Sequence, residues 1–413
     1  MKKRILIYGL GITGKELIKF CKKNKVPFYD HDDNKKNNFD KVLNKISEII
    51  LSPGIARSNK NIDKALKLKI PVISEIEYAS RYIEKPIISI TGTNGKTTTT
   101  MITHKLLNKS KNKIFIGGNI GKPLISSLNN NKQYDLYLLE TSSFQLQFIK
   151  NNFNPLISLI TNLSPNHLDH HKNLKEYYNS KLNNFKNQDY KSYSIIGSDI
   201  EKNIVKKIRN KKTNLIISKL IQDEKNIYFD KFKIKKKHLK LVGNHNYENI
   251  VNSLNIVKII SNISKNHIEE LYKFNPPEFR LEKITDYPKI FNDSKSTSVD
   301  SLRNALQSFN IKIRLIIGGK NKNLNFENIN ELIKRSTSKV YIFGENKFIL
   351  AKTLVGNNIV ICKDLEDATR ASLKNIKKDE TLLFSPGSSS FDSYSSYIER
   401  GVKFNKYVKK FLR

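Results

Sequence analysis

The feature that most constrains this chain is Thr91-Gly92-Thr93-Asn94-Gly95-Lys96-Thr97-Thr98, which follows the β-branched run Ile87–Ile90. Glycines that let backbone approach a ligand, a lysine for phosphate oxygens and a hydroxyl for magnesium describe a phosphate loop between a strand and a helix. Strict Walker A spacing would place glycine at position 90, where Ile90 stands, so this is the shorter GxxGKT form. Such a loop sits on a parallel sheet, which predicts at least one α/β nucleotide-binding domain.

The rest of the chain repeats the pattern. Short strand-like runs alternate with helical stretches at Ile5–Tyr8, Glu48–Leu51, Ile87–Ile90, Leu136–Glu140, Ile157–Thr161, Ile313–Ile317, Val340–Phe343, Ile359–Cys362 and Thr381–Phe384. Alternation of this kind predicts parallel α/β sheets. Two proline-marked junctions, Glu84-Lys85-Pro86 and Asn275-Pro276-Pro277, divide the 413 residues into 1–85, 86–276 and 277–413, each of ordinary domain size. Asn183 to Lys240, rich in lysine and asparagine, is expected to be an irregular side of the middle domain, with strand-like pieces at Ser194–Ile196 and Asn226–Phe229.

Charge raises the question of a polyanionic partner, because 74 Lys+Arg against 38 Asp+Glu leave +36. Of those bases 63 are lysines, scattered rather than clustered, whereas a nucleic-acid groove shows clustered arginine with interleaved aromatics. No specific nucleic-acid partner is therefore expected. The apolar run after Met1-Lys-Lys-Arg4 is broken by Gly9, Gly11 and Gly14, and no apolar stretch of membrane-spanning length occurs, so neither export nor membrane insertion is expected. Cys21 and Cys362 fit no disulfide or metal-knuckle spacing, which points to a reducing compartment and a cytoplasmic protein.

A second glycine turn, Gly9-Leu10-Gly11-Ile12-Thr13-Gly14, follows the first strand, with Asp30 at the interval expected for a ribose contact. A dinucleotide, any other nucleotide diphosphate, or no ligand at all satisfies this pattern equally. Ser52-Pro53-Gly54-Ile55 ends another strand of the same segment and would face the same crevice.

Taken together, the motifs resemble the ATP-dependent Mur ligases, whose phosphate loop reads GTNGKT or GTNGKS. The resemblance runs through Gly92–Thr97, Gly117-Gly-Asn119-Ile-Gly121, Glu140-Thr-Ser142-Ser143-Phe-Gln-Leu146, Asn166-His167-Leu-Asp169, Lys181-Leu182 and Gly243-Asn-His245-Asn246-Tyr-Glu-Asn249. Asn292-Asp293-Ser294-Lys295-Ser296-Thr297 is similar to the NDSKAT segment of the D-glutamate-adding branch. Ser385-Pro-Gly-Ser-Ser-Ser390-Phe391-Asp392, continuing to Glu399-Arg400-Gly401, resembles the ending of that branch.

The resemblance implies an α/β protein of three domains: a Rossmann-like N-terminal domain for a UDP substrate, a central P-loop-type ATPase domain and a Rossmann-like C-terminal domain for an amino acid. It implies a monomeric enzyme that uses ATP and two magnesium ions to join D-glutamate to UDP-N-acetylmuramoyl-L-alanine. Lys96, Glu140, His167 and Lys181 would be catalytic. Thr97, Glu140, His167 and a carbamylated Lys181 would hold magnesium. Gly92, Thr93, Asn94, Gly95, Lys96, Thr97, Thr98, Asn246, Asn249, Arg280, Asp293 and Lys295 would bind ATP. Gly9, Leu10, Gly11, Thr13, Asp30, Ser52, Gly54, Asn119 and Ser142 would contact the UDP substrate. Thr297, Lys322, Ser390, Phe391 and Tyr397 would contact D-glutamate. The chain departs from the pattern at Asn166, where an aspartate is usual, at Phe279, where a histidine is usual, and at Asn321, where an acid is common; none of the three can ionise. A dinucleotide-dependent oxidoreductase would leave the GxxGKT loop and the C-terminal motifs without purpose.

Overall fold

Strand-forming runs separated by amphipathic helices produce, among the described residues, four sheets in this computed structural model, which describes residues 4–33, 39–108, 113–166, 170–209, 213–321 and 326–412. The first sheet contains β1 (Arg4–Tyr8), β2 (Phe28–His31), β3 (Ile46–Leu51) and β4 (Val72–Ser74) in the order β2-β1-β3-β4, all parallel. The second contains β5 (Ile87–Thr91), β6 (Ile114–Gly118), β7 (Leu136–Glu140), β8 (Ile157–Ile160), β9 (Tyr193–Gly197) and β10 (Asn214–Ser218). Its order is β10-β9-β8-β5-β7-β6, again parallel throughout. A small antiparallel sheet follows, of β11 (Ile221–Gln222), β12 (Asn226–Phe229) and β13 (Phe232–Lys235).

The last sheet is built from β14 (Glu282–Thr285), β15 (Lys289–Asn292), β16 (Ile313–Gly318), β17 (Thr337–Phe343), β18 (Ile359–Ile361) and β19 (Thr381–Phe384). Its order is β14-β15-β19-β16-β17-β18, with β14 antiparallel to β15 and the other pairs parallel. Every strand expected from the sequence forms. The stretch from Asn183 to Lys240 is more regular than expected: β9 and β10 extend the second sheet in register, and β11 to β13 make a sheet of their own. Ser194, Ile195 and Ile196, all fully buried, show why: the strand is covered on both faces, Ile196 packing with Ile160 and Phe185 while the Ser194 hydroxyl donates to Gln188 Oε1 at 2.8 Å.

The chain packs as two compact units. One comprises Met1–Lys237 with Glu248–Tyr272, the other His238–Tyr247 with Lys273–Arg413. In the first unit, Ile5, Ile7, Leu17 and Phe20 share one apolar cluster with Ile87, Leu139 and Phe153, so the first two sheets rest on a common core. Two fully buried acids reinforce that junction. Glu77 accepts hydrogen bonds from the backbone N–H groups of Asn151, Asn152 and Phe153 and from the Asn152 side chain at 2.8–3.0 Å, and Glu75 accepts one from Ile125 N at 2.5 Å. In the second unit the core divides between the two faces of the sheet, with Leu302, Leu315 and Leu383 on one side and Ile316, Phe384 and Phe404 on the other.

Strand order decides where ligands can bind. In an open parallel sheet the crevice lies at the carboxyl ends of strands where the winding reverses. β1, β5 and the β15/β19/β16 group are those places, and the motifs singled out in the sequence follow these strands. Among the described residues no helix is long and apolar enough to cross a membrane.

Candidate active site

Helix Lys96–Leu107 begins directly after the glycine loop, with Gly95 as N-cap and no side-chain cap. The N–H groups of its first turn are thus left for an anion. Its sequence is a poor helix former, four threonines in succession, and it is packing that holds it: Thr98, Thr99, Thr100 and Thr103 are buried. Two glycines are required by space as well as by dihedral angle. Gly92 and Gly95 have φ of +143° and +80°, and a Cβ on them would lie 1.9 Å from Thr161 Oγ1 and 2.2 Å from Asn249 Oδ1.

The loop is fixed by its neighbour after β8. Asn162 pairs with Asn94 as a strand would, accepting from Asn94 N at 2.9 Å and donating to Asn94 O at 3.2 Å. Thr161 Oγ1 donates to Asn94 O at 2.6 Å, and Thr93 Oγ1 accepts from Ser164 N at 3.0 Å. The phosphate loop is therefore preorganised before any ligand arrives.

Around it stand the charged groups. Lys96 Nζ donates to the carbonyls of Gly92 and Thr93, both at 2.8 Å, and Lys181 Nζ donates to Gly92 O at 2.7 Å. Lys181 is 2 % exposed and lies 4.8 Å from the Tyr177 ring centroid. Burial first, then the Lys96 charge, hold its ammonium well below the usual lysine range, with Glu140 opposing. Glu140, at the end of β7 and 2 % exposed, accepts from Asn119 Nδ2 at 2.7 Å through Oε1, while Oε2 is buried with no partner. Ser142 acts as the N-cap of helix Ser143–Leu146 in a capping box with Gln145. Asn249 Oδ1 accepts from Thr99 Oγ1 at 3.2 Å. His167 lies outside the described residues, and among those described no group of three or more His, Cys, Asp or Glu side chains could hold a metal.

The donor set nevertheless fits magnesium, a hard ion that takes carboxylate and hydroxyl oxygens. Glu140 Oε2 is a buried oxygen awaiting a partner, and Thr97 stands at the helix start.

In the first sheet, Gly9, Leu10, Gly11 and Thr13 form the turn after β1, and Ser52 Oγ donates to Gly9 O at 2.6 Å. Ser52-Pro-Gly54 thus meets the turn as expected. Asp30 lies within β2, opposite Ile7, and the acid that reaches the turn is Asp32, accepting from Leu10 N at 2.8 Å. A groove of about 380 Å³ in the same unit is lined by Arg57, Lys172, Lys175, Glu176, Asn179 and other polar residues. No local motif marked Arg57, whose charge matters only once the fold brings it beside Glu176, 3.6 Å away.

The second unit holds its own cluster. Asp293 is buried and accepts from Ser385 Oγ at 2.8 Å and Leu281 N at 3.1 Å; burial pushes its carboxyl up to about 7 against those bonds. Lys295 Nζ sits 3.7 Å from the Tyr397 ring centroid. Thr297 and Phe391 are exposed, Ser390 is buried, and Lys322 lies outside the described residues. Arg280 is flanked by Phe279 and Leu281 at φ of +61° and +47°, a left-handed backbone that bulky residues adopt only when the surroundings impose it. Asn246 is engaged by its own turn, donating to Val242 O at 2.8 Å.

Two further residues were given no role by the sequence, Tyr177 unmarked and Arg400 quoted only within a motif. Tyr177 is fully buried, its hydroxyl 3.1 Å from Thr93 Oγ1, and its spacing of four from Lys181 on one helix was the available signal. Arg400 is also fully buried. Its guanidinium donates to the carbonyls of Ser388 and Ser294 at 2.9 and 2.8 Å and so ties the segment after β19 to the one after β15.

Comparison with known proteins places this architecture. Residues 90–257 match the family model of the Mur ligase middle domain. A UDP-N-acetylmuramoylalanine–D-glutamate ligase of Buchnera aphidicola subsp. Acyrthosiphon pisum is 35% identical over 441 residues, spanning 99% of this chain and 98% of that protein. The enzyme of the same name from Aquifex aeolicus is 31% identical, spanning 98% of each chain. Among solved structures, MurF ligase from Thermotoga maritima in complex with ADP superposes with a TM-score of 0.64 at 16% identity, over 99% of this chain and 96% of that one.

Proposed function

This chain belongs to the Mur ligase family, and we propose that it joins D-glutamate to UDP-N-acetylmuramoyl-L-alanine, with ATP cleaved to ADP and phosphate, in peptidoglycan precursor synthesis. The observation that carries the chemistry is the convergence of Lys96, Lys181 and the partnerless Glu140 oxygen on a preformed phosphate loop. We assign residues 1–85 to the UDP substrate, 86–276 to ATP and 277–413 to the amino acid, in a cytoplasmic monomer.

A carboxylate cannot form an amide directly, because its oxide is a poor leaving group. Attack of the alanyl carboxylate on the γ-phosphorus releases ADP and gives an acyl phosphate; attack of the D-glutamate amine on that carbonyl then expels phosphate. Enzymic phosphoryl transfer depends mostly on positioning and charge neutralisation. Lys96 would leave the Gly92 and Thr93 carbonyls for phosphate oxygens, while Asn162 and Thr161 keep the loop amides in place. Asn119 orients Glu140. Thr97, Glu140, His167 and a carbamylated Lys181 would hold magnesium, which when bound supplies further neutralisation of phosphate charge.

Arg57, Lys172 and Lys175 suit an anionic nucleotide sugar, Lys295 suits the ATP and acyl-phosphate side, and Thr297, Ser390 and Lys322 suit the two carboxylates of D-glutamate. The test is ADP release with defined substrates. Release should require UDP-N-acetylmuramoyl-L-alanine and D-glutamate together and should fail with L-glutamate. Turnover with L-lysine or diaminopimelate on a dipeptide precursor would overturn the assignment.

A further inference from the structure

Beside the phosphate loop, against helix Asn244–Ile260, is a cavity of about 10 Å³, room for one water-sized particle. It is lined by the ends of β8, β9 and β10, with Thr161, Ser198, Asp199 and Ser218, and by Glu248 and Asn252. Glu248 and Asn252 are four apart and so share one face of the helix.

Its chemistry is one-sided. Asn252 is 2 % exposed, and its Oδ1 is a buried acceptor with no partner. Glu248 faces Asp199, and their one side-chain hydrogen bond among the described residues comes from Ser198 Oγ, 3.1 Å from Asp199 Oδ1. In a chain with 63 lysines, two facing carboxylates without a basic partner among the described residues are conspicuous. Burial, then the charge of Asp199, push the Glu248 carboxyl up to about 7, so near neutral pH this carboxyl is ionised only in part unless a cation stands beside it. A water molecule could donate to Asn252 but would offset neither carboxylate.

We propose that this cavity is the site of a single alkali cation, K⁺ or Na⁺, held by the Asn252 amide oxygen and the carboxylates of Glu248 and Asp199. All three are hard oxygen donors. The space is too small for magnesium with the waters it usually keeps. The site is coupled to the phosphate loop through Thr161, which lines the cavity and donates to Asn94 O at 2.6 Å.

The test is thermal unfolding of the ligand-free full chain in KCl, NaCl and choline chloride at equal ionic strength. K⁺ or Na⁺ should raise Tm by about 1.5–2 °C over choline, the shift that about tenfold saturation gives a chain of this size. Asp199→Asn, at an exposed position, and Glu248→Gln should each lose that increment, with a choline Tm at or above that of the native protein because one of two facing charges is gone. Binding of a non-hydrolysable ATP analogue should be several-fold tighter in K⁺ or Na⁺ than in choline. Equal Tm in all three salts, or an increment that both variants keep, would overturn the proposal and leave an ordered water; stabilisation by Ca²⁺ alone would overturn the alkali assignment. Because the unfolding experiment uses no substrate, its failure leaves the proposed ligase activity standing.

Discussion

Lys96 and Lys181 hydrogen-bond the same carbonyl oxygen, that of Gly92, at 2.8 and 2.7 Å. Two cations on one acceptor are tolerable only because one of them is held low: burial and the neighbouring charge favour the neutral amine at Lys181. Lys96 is half-buried and at the loop mouth, so it remains the cation that meets the phosphates.

It follows that Lys96→Ala should remove most of the activity. Loss of one donor aimed at developing phosphate charge costs roughly 3–4 kcal/mol, or about 10²–10³ in kcat. Binding of the UDP substrate, followed by calorimetry, should be unchanged. A variant with native turnover would show that the loop is structural.

Gly95→Ala tests the same loop through space rather than charge. Alanine would be placed at φ +80° with its Cβ 2.2 Å from Asn249 Oδ1, so both the dihedral angle and the side chain of Asn249 must give. The left-handed conformation alone costs about 1–2 kcal/mol. ATP-analogue affinity should fall more than tenfold, with UDP-substrate affinity retained. Unaltered nucleotide affinity would mean that the loop relaxes freely.

How much of this was legible in the sequence follows from the range of each interaction. Gly92–Thr97 was readable as a phosphate loop because such a loop demands fixed residue types at short spacing between a strand and a helix, whereas Glu140 and Lys181 stood out mainly through the family resemblance, and only the fold brings Lys181 to the Gly92 carbonyl. Strands such as Phe28–His31 and Asn214–Ser218 were not readable, since each is an edge strand of the sheet it joins and carries polar or half-exposed positions. Asp32, one residue past β2, accepts from Leu10 N in the glycine turn, a placement that only strand pairing sets. Arg400 was visible within a motif, yet its two carbonyl partners lie 12 and 106 residues away. Glu75 and Glu77, in Ser74-Glu-Ile-Glu-Tyr78, carry no local signal and are fully buried.

Those two acids give a prediction about stability. Glu77, with four N–H donors, is held below the usual carboxylate range despite burial; Glu75, with one donor, is pushed by burial up to about 7. A carboxyl whose folded pKa is raised binds its proton more tightly in the folded state, so its contribution is full below the unfolded value of 4.5 and is lost as pH rises through about 7. The loss amounts to about 3 kcal/mol. Glu75→Gln removes this titration, so its Tm should gain on the native protein between pH 5 and about pH 7 and keep that gain at pH 8. Parallel Tm profiles would exclude an uncompensated acid at this junction.

The last prediction concerns the modification of Lys181. Its amine can react with CO₂ only when neutral, and burial with Lys96 nearby makes it so. Carbamylation replaces a cation by an anion and supplies an oxygen on the side of the loop where Glu140 Oε2 lacks a partner. Tyr177, whose ring lies 4.8 Å from Nζ, bounds that space and limits where the new group can point. Lys181→Ala should therefore lose activity, and a small carboxylic acid such as acetate should restore part of it by occupying the vacated oxygen position. Lys181→Arg keeps the charge but cannot be carbamylated, so it should be as impaired as alanine and should not respond to acetate. Mass spectrometry of the native protein at neutral pH in bicarbonate should show 43–44 Da added to the peptide containing Lys181, a gain set by the formula of CO₂ (~44 Da) and absent from the arginine variant. Full activity of the arginine variant would leave Lys181 a plain phosphate contact.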